Sequence, residues 1–134
     1  MLILDKLKPF PKADIAHDEK SLAQWCRWWR DALGLSDWVV DVRFARLSEL
    51  EGAYGRSAYK AGMKSATVSL IANIDADDAD HNFDIEQTLV HELLHLKLWH
   101  FNRDGAGEVE GVLEEQVIDT LAWSFVNLRR MHRG

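Results

Sequence analysis

Residues 89 to 96 read Leu-Val-His-Glu-Leu-Leu-His-Leu, and no other stretch restricts the fold of this chain so strongly. Five of these eight side chains are large and apolar, so a helix built from them is buried around most of its circumference. His91, Glu92 and His95 sit in the same run, where an unpaired imidazole or carboxylate is costly to desolvate. Side chains four residues apart lie one above the other on a helix. His91 and His95 therefore converge on one point, close enough for both rings to reach a single metal ion, which would remove the cost of burying them. Glu92, one position on from the first ring, is rotated beside that point, where its carboxylate can hold the metal's water and take its proton. A chain of this length with six histidines produces the pattern by chance on the order of 0.02 times. The bland alternative, two ordinary histidines on an amphipathic helix, is the weaker reading.

A catalytic zinc needs a third protein ligand and an open position. His100, Glu110, Glu114 and Glu115 are the downstream candidates. His100 comes five residues after His95 and points to a different side of the helix, and Glu110 stands near the start of the last helix. Glu115 is preferred because Asp119 follows it at i+4 on the same face, where it could accept a hydrogen bond from the second nitrogen of a metal-bound His and orient that ring. Ala122 continues this face with a small side chain, which lets two helices approach closely. The competing reading of Glu115 and Asp119 is an exposed acidic face, since Glu110 and Glu114 make the start of that helix acidic in any case.

The rest of the chain limits what can surround such a site. Its 134 residues, 47% hydrophobic and 28% charged, suit one globular domain over 1–134 with its own core. A net charge of −6 opposes nucleic-acid binding. The only basic clusters are Lys6, Lys8 and Lys12 at one end and Arg129, Arg130 and Arg133 at the other, which read as solvated termini. Cys26 is the single cysteine, so an intrachain disulfide and a thiolate zinc cluster are both excluded, and His and carboxylate must hold any metal. Met1-Leu2-Ile3-Leu4 is broken by Asp5 and Lys6, too short for a signal peptide or membrane span, and a cytoplasmic location is expected.

Around the motif the pattern predicts an α+β domain. Residues 1–17, with Pro9 and Pro11, read as an extended lead-in. Leu22, Trp25, Cys26, Trp29 and Leu33 recur at helical spacing from Asp18 onward, with Gly34 as the stop, and their aromatic face reads as core. Trp38, Val40, Val42 and Phe44 alternate as a half-buried strand. Gly52 to Lys60 and Ser65 to Ala72 follow as strands joined by a hairpin at Ala61-Gly62-Met63-Lys64, so a small antiparallel meander is expected. Asp75 to Asp80 matches a calcium loop at only a few positions and reads as a solvated acidic loop. The motif helix is expected from Asp84, with Gln87 in the capping-box position, to about His100. After a loop with Gly105 and Gly107, a last helix from about Glu110 to Met131 lines one face with Leu113, Val117, Leu121, Ser124 and Leu128.

His91-Glu92-Leu93-Leu94-His95 followed by Glu115-Gln116-Val117-Ile118-Asp119 resembles the gluzincin pattern of zinc peptidases. The short chain resembles minimal zincins of the ImmA/IrrE type and related phage or bacterial metallopeptidases. Thr88 and Leu96 fit the extended helix signature and Lys97 departs from it; the metzincin pattern fits poorly, with Leu98 and Phe101 where that group has Gly and His. The resemblance implies a minimal zincin-like domain: an N-terminal helix, a small three-stranded, mainly antiparallel sheet, the HExxH helix and a C-terminal helix carrying a ligand. It implies Zn2+ held by His91, His95 and Glu115, with Asp119 behind a ligand His. It also implies hydrolysis of a peptide or protein substrate with Glu92 as general base. Substrate is expected along an exposed sheet edge, with Ser65 to Ala72 the candidate, and Tyr54, Tyr59 and His100 are the candidates for a second oxyanion donor. The alternative reading is a zinc-binding regulatory or antagonist protein that keeps the fold without useful hydrolysis.

Overall fold

Asp18 starts the first helix. Its side chain accepts the Ser21 N–H at 2.7 Å, satisfying one of the N–H groups that a helix start leaves free, and α1 runs Glu19–Ala32. It stops at Gly34, whose φ of +74° costs a glycine little. The Gly34 N–H bonds to Asp31 O at 3.2 Å and the Leu35 N–H to Arg30 O at 2.8 Å, the pair of bonds that closes a helix end. Leu22, Trp25, Cys26 and Trp29 are buried, so the aromatic face is core. Burial pushes the Cys26 thiol up to about 12 and leaves it protonated at neutral pH. The computed structural model describes residues 8–11, 18–72, 83–99 and 108–132, with side chains of the last segment described from Gly111 onward.

Three strands follow, β1 at Val39–Ala45, β2 at Gly55–Lys60 and β3 at Ser65–Ile71. β2 and β3 form the expected antiparallel hairpin, with Gly55 opposite Leu70 and Lys60 opposite Ser65. A short 3-10 turn, Ala61–Met63, joins them through Lys64 at φ 49°. The antiparallel meander does not form. The sheet order is β1-β3-β2, and β1 runs parallel to β3 from Val39 opposite Ser65 to Ala45 opposite Ile71. The sheet is therefore mixed, for a reason that lies in β3. Ala66, Val68 and Leu70 face the main core, while Ile71 on the other face is sealed with Ala45 and Leu50 in a second small core. A strand buried on both faces belongs in the middle of a sheet, whereas β1 alternates exposed and half-buried positions. Ser65 to Ile71 is thus a central strand and offers no edge; among the described strands, β1 and β2 are the edges.

Asp84 caps the motif helix α2, Ile85–Lys97, by accepting the Gln87 N–H at 3.0 Å. The helix ends three residues before His100. Leu89, Val90, Leu93 and Leu96 are fully buried against α1 and the sheet, each contributing roughly 1.5–3 kcal/mol. The last helix, α3, runs Glu108–Met131. It buries Ile118, Ala122 and Val126, whereas Leu113 and Val117 are 54% and Leu128 46% exposed, so the face expected to be core is largely solvent-facing. Two apolar stripes compete on this helix, and the one that shares its side with Glu115 and Asp119 is the one turned toward α2.

Arg129 and Arg130 are not a solvated terminus. Both reach back to Glu86, which is only 1% exposed, and Arg130 also pairs with Asp84 at 2.8 Å. Of the lead-in, Phe10 packs against Trp25 and Trp28 beneath the Arg129 guanidinium, 3.9 Å from its ring centroid. Its remaining residues apart from 8–11, the acidic segment Asp75 to Asp80, the Gly105 to Gly107 loop and His100 lie outside the described residues. Among the described residues the fold is α+β, three α-helices on a three-stranded mixed sheet, and no helix is long and apolar enough to cross a membrane.

Candidate metal centre

The helical spacing of α2 brings the rings of His91 and His95 together, 5.2 Å apart between centroids. Helix α3 sets Glu115 in front of both. Its Oε2 lies 3.0 Å from His91 Nε2 and its Oε1 2.9 Å from His95 Nε2. On the other side of His91, Nδ1 lies 3.3 Å from Asp119 Oδ1. An ionised carboxylate only accepts hydrogen bonds, so a neutral His91 can donate to Asp119 through Nδ1 or to Glu115 through Nε2, but not to both. A His91 ring that gives its Nδ1 proton to Asp119 turns its Nε2 lone pair on Glu115, a contact that a proton or a metal ion between them would relieve.

The donor set fits the ion. Two imidazole nitrogens and one carboxylate, with a fourth position open, form a standard catalytic zinc set, and tetrahedral donors 2.0–2.2 Å from zinc stand about 3.3 Å apart. The observed 2.9 and 3.0 Å separations run from the two rings to the two oxygens of Glu115, a few tenths of an ångström shorter than that, and Glu92 also offers an oxygen within 4.8 Å of both rings. The site opens on a cleft lined in part by His91, Val112, Glu115 and Asp119. Glu114, the neighbour of the preferred ligand, comes no nearer than 4.0 Å to His95 Nδ1, beyond hydrogen-bond reach. The Glu110 side chain and His100 lie outside the described residues.

Glu92 lies beside this set and is 7% exposed, with one oxygen within 4.8 Å of ligand nitrogens of both rings. Burial raises its carboxyl above the usual range, against the opposing pull of His95, His91 and a hydrogen bond from Ser57. Ser57 comes from β2, which reaches Glu92 because residue 55 is glycine. A Cβ there would stand 2.8 Å from Thr88 Cγ2 and 3.2 Å from Glu92 Cγ.

Two polar side chains at the site escape the sequence pattern. Gln87, in the capping-box position, donates its Nε2 to Asp119 Oδ1 at 2.7 Å instead of reaching back to the helix start. Its signal was the spacing, because Gln87, His91 and His95 stand four apart on one face. Ser57 was signalled only by its period-two relation to Gly55. Of the oxyanion candidates, Tyr54 stands edge-on to Phe83 and Tyr59 edge-on to Trp38, both in aromatic packing. No protein-family model matches the chain, and comparison with curated proteins and with solved structures finds no significant match either.

Proposed function

We propose that this chain is a zinc-dependent hydrolase, a peptidase of gluzincin type, with His91, His95 and Glu115 holding the metal and Glu92 as general base. The observation that carries the reading is the approach of both Nε2 atoms to one carboxylate, with a second, buried carboxylate beside them. Bound there, zinc supplies a Lewis acid that lowers the pKa of a water and polarises a carbonyl. The remaining work belongs to the chain. Glu92, buried beside the rings, takes the water's proton and passes it to the leaving amine. Asp119 holds His91 through the Nδ1 proton. The edge strand β2 delivers Ser57 to Glu92, so an extended peptide adding to that edge would run past the base.

Metal analysis of the purified chain, with a cleavage assay on unfolded protein, tests this. About one zinc per chain is expected, lost in His91→Ala and His95→Ala, because two remaining ligands hold the ion too weakly. Full zinc content in either variant would sink the site. Bound zinc without cleavage would leave a metal-binding regulatory protein as the better reading.

A further inference from the structure

Resting on the metal reading of this site, we propose that Gln87 is a positioning residue: acting through Asp119, it fixes which nitrogen of His91 is offered to the ion. The bond lengths give the order of the chain. Gln87 Nε2 donates to Asp119 Oδ1 at 2.7 Å, and the same Oδ1 accepts from His91 Nδ1 at the longer distance of 3.3 Å. Asp119 is 55% exposed in its side chain, so by itself it is a hydrated carboxylate free to sample other rotamers. Gln87 is 7% exposed, on the rigid inner face of α2, with its main-chain N–H held by Asp84 at 3.0 Å. The buried amide is therefore the fixed end of the chain and the carboxylate the adjustable one.

The chemistry allows only one polarity. A carboxylate offers no proton, so the amide must present nitrogen to it, and with Nε2 given to the ion the imidazole must present Nδ1–H. With Nδ1 carrying the proton, the free lone pair of His91 is on Nε2, the atom facing Glu115 at 3.0 Å. Without the amide, Asp119 keeps only its longer contact to His91 at 3.3 Å, and the ring of His91 is freer to rotate or to take the other tautomer. Orienting partners of this kind are worth roughly 10- to 100-fold in metal affinity.

The test is a zinc-affinity cycle on the full chain, by competition with a chromophoric chelator, for the parent, Gln87→Met, Asp119→Ala and the double variant. Visible spectra of the cobalt-substituted proteins accompany it. Gln87→Met keeps the length and removes the donor. It is expected to weaken zinc binding roughly 10-fold or more and to alter the cobalt spectrum, while the double variant binds no worse than Asp119→Ala because both act on one chain. If Gln87→Met does not fold, Gln87→Leu, close in size and without a donor, carries the same expectation. Parent-like affinity and spectrum in Gln87→Met, or losses that multiply in the double variant, would overturn the role of Gln87. A parent that takes up no zinc would instead refute the metal reading on which the proposal rests.

Discussion

Glu92 is the residue at which a hydrolytic site and a merely structural metal site diverge. Glu92→Gln keeps the volume and a polar tip but cannot accept a proton, so it is expected to bind zinc like the parent while turnover falls roughly 10²- to 10⁴-fold. Parent-like cleavage at equal zinc content would remove Glu92 from the mechanism. Its neighbours on α3 are expected to separate sharply: Glu115→Ala should lose the metal, whereas Glu114→Ala, 4.0 Å from His95, should keep it. Zinc content of the two variants checks this, and sensitivity at Glu114 alone would put the ligand one residue away. At this scale much was legible. His91, His95, Glu115 and Asp119 lie on helices, whose fixed period decides which side chains share a face. Gln87 shares the face of His91 and His95 but was read only as a cap, and Ser57 was missed because its partner comes from another element, of which local spacing carries no record.

Elements show where that legibility ends. The helices and strands lie close to their expected positions, but a period of two marks a strand without naming its neighbours. The clue to strand order was in β3, where Ala66, Val68 and Leu70 alternate with Thr67, Ser69 and Ile71 and neither face is strongly polar. On α3, Leu113, Val117, Leu121 and Leu128 made a regular stripe, but the shorter stripe of Ile118, Ala122 and Val126 took the core, on the side of the helix that carries Glu115. The contact between β2 and α2 yields the prediction for this scale. In Gly55→Ala the new Cβ meets Thr88 Cγ2 at 2.8 Å, Leu70 Cδ2 at 3.1 Å and Glu92 Cγ at 3.2 Å. Overpacking of this kind costs about 1–3 kcal/mol, and here part of it falls on the proposed base. A lower urea midpoint together with reduced turnover at unchanged zinc content is expected; parent-like stability would show that β2 yields without strain.

For the molecule as a whole, the question is what holds α3 at the angle that presents Glu115. Only Ile118, Ala122 and Val126 are fully buried along the described length of this helix, a narrow apolar seam. Its C-terminal end is fastened differently. Glu86 accepts Trp29 Nε1 at 2.9 Å, Arg129 Nε at 2.9 Å and Nη2 at 2.6 Å, and Arg130 Nε at 3.3 Å, which joins α1, the first turn of α2 and the last turns of α3 in one buried cluster. The carboxylate is 1% exposed, so each charge depends on the other. Losing Arg129 leaves Glu86 with Arg130 Nε at 3.3 Å and Trp29 Nε1 at 2.9 Å, so the cost falls below that of a fully orphaned buried charge, at about 1.5–3 kcal/mol. Arg129→Ala is therefore expected to lower stability by about that much in urea unfolding. Arg130→Ala, with the Arg130 side chain 35% exposed, should cost about 1 kcal/mol or less. Replacing both charges, Glu86→Met with Arg129→Met, is expected to recover only part of the Arg129→Ala loss, since apolar groups substitute for the pair but leave the buried Trp29 Nε1 without its acceptor. Zinc affinity should follow stability in the order Arg130→Ala above Arg129→Ala, because a loosened α3 presents Glu115 less often. If Arg129→Ala proves no more destabilising than Arg130→Ala, the cluster around Glu86 does not hold the helix and the apolar seam must suffice to orient the ligand.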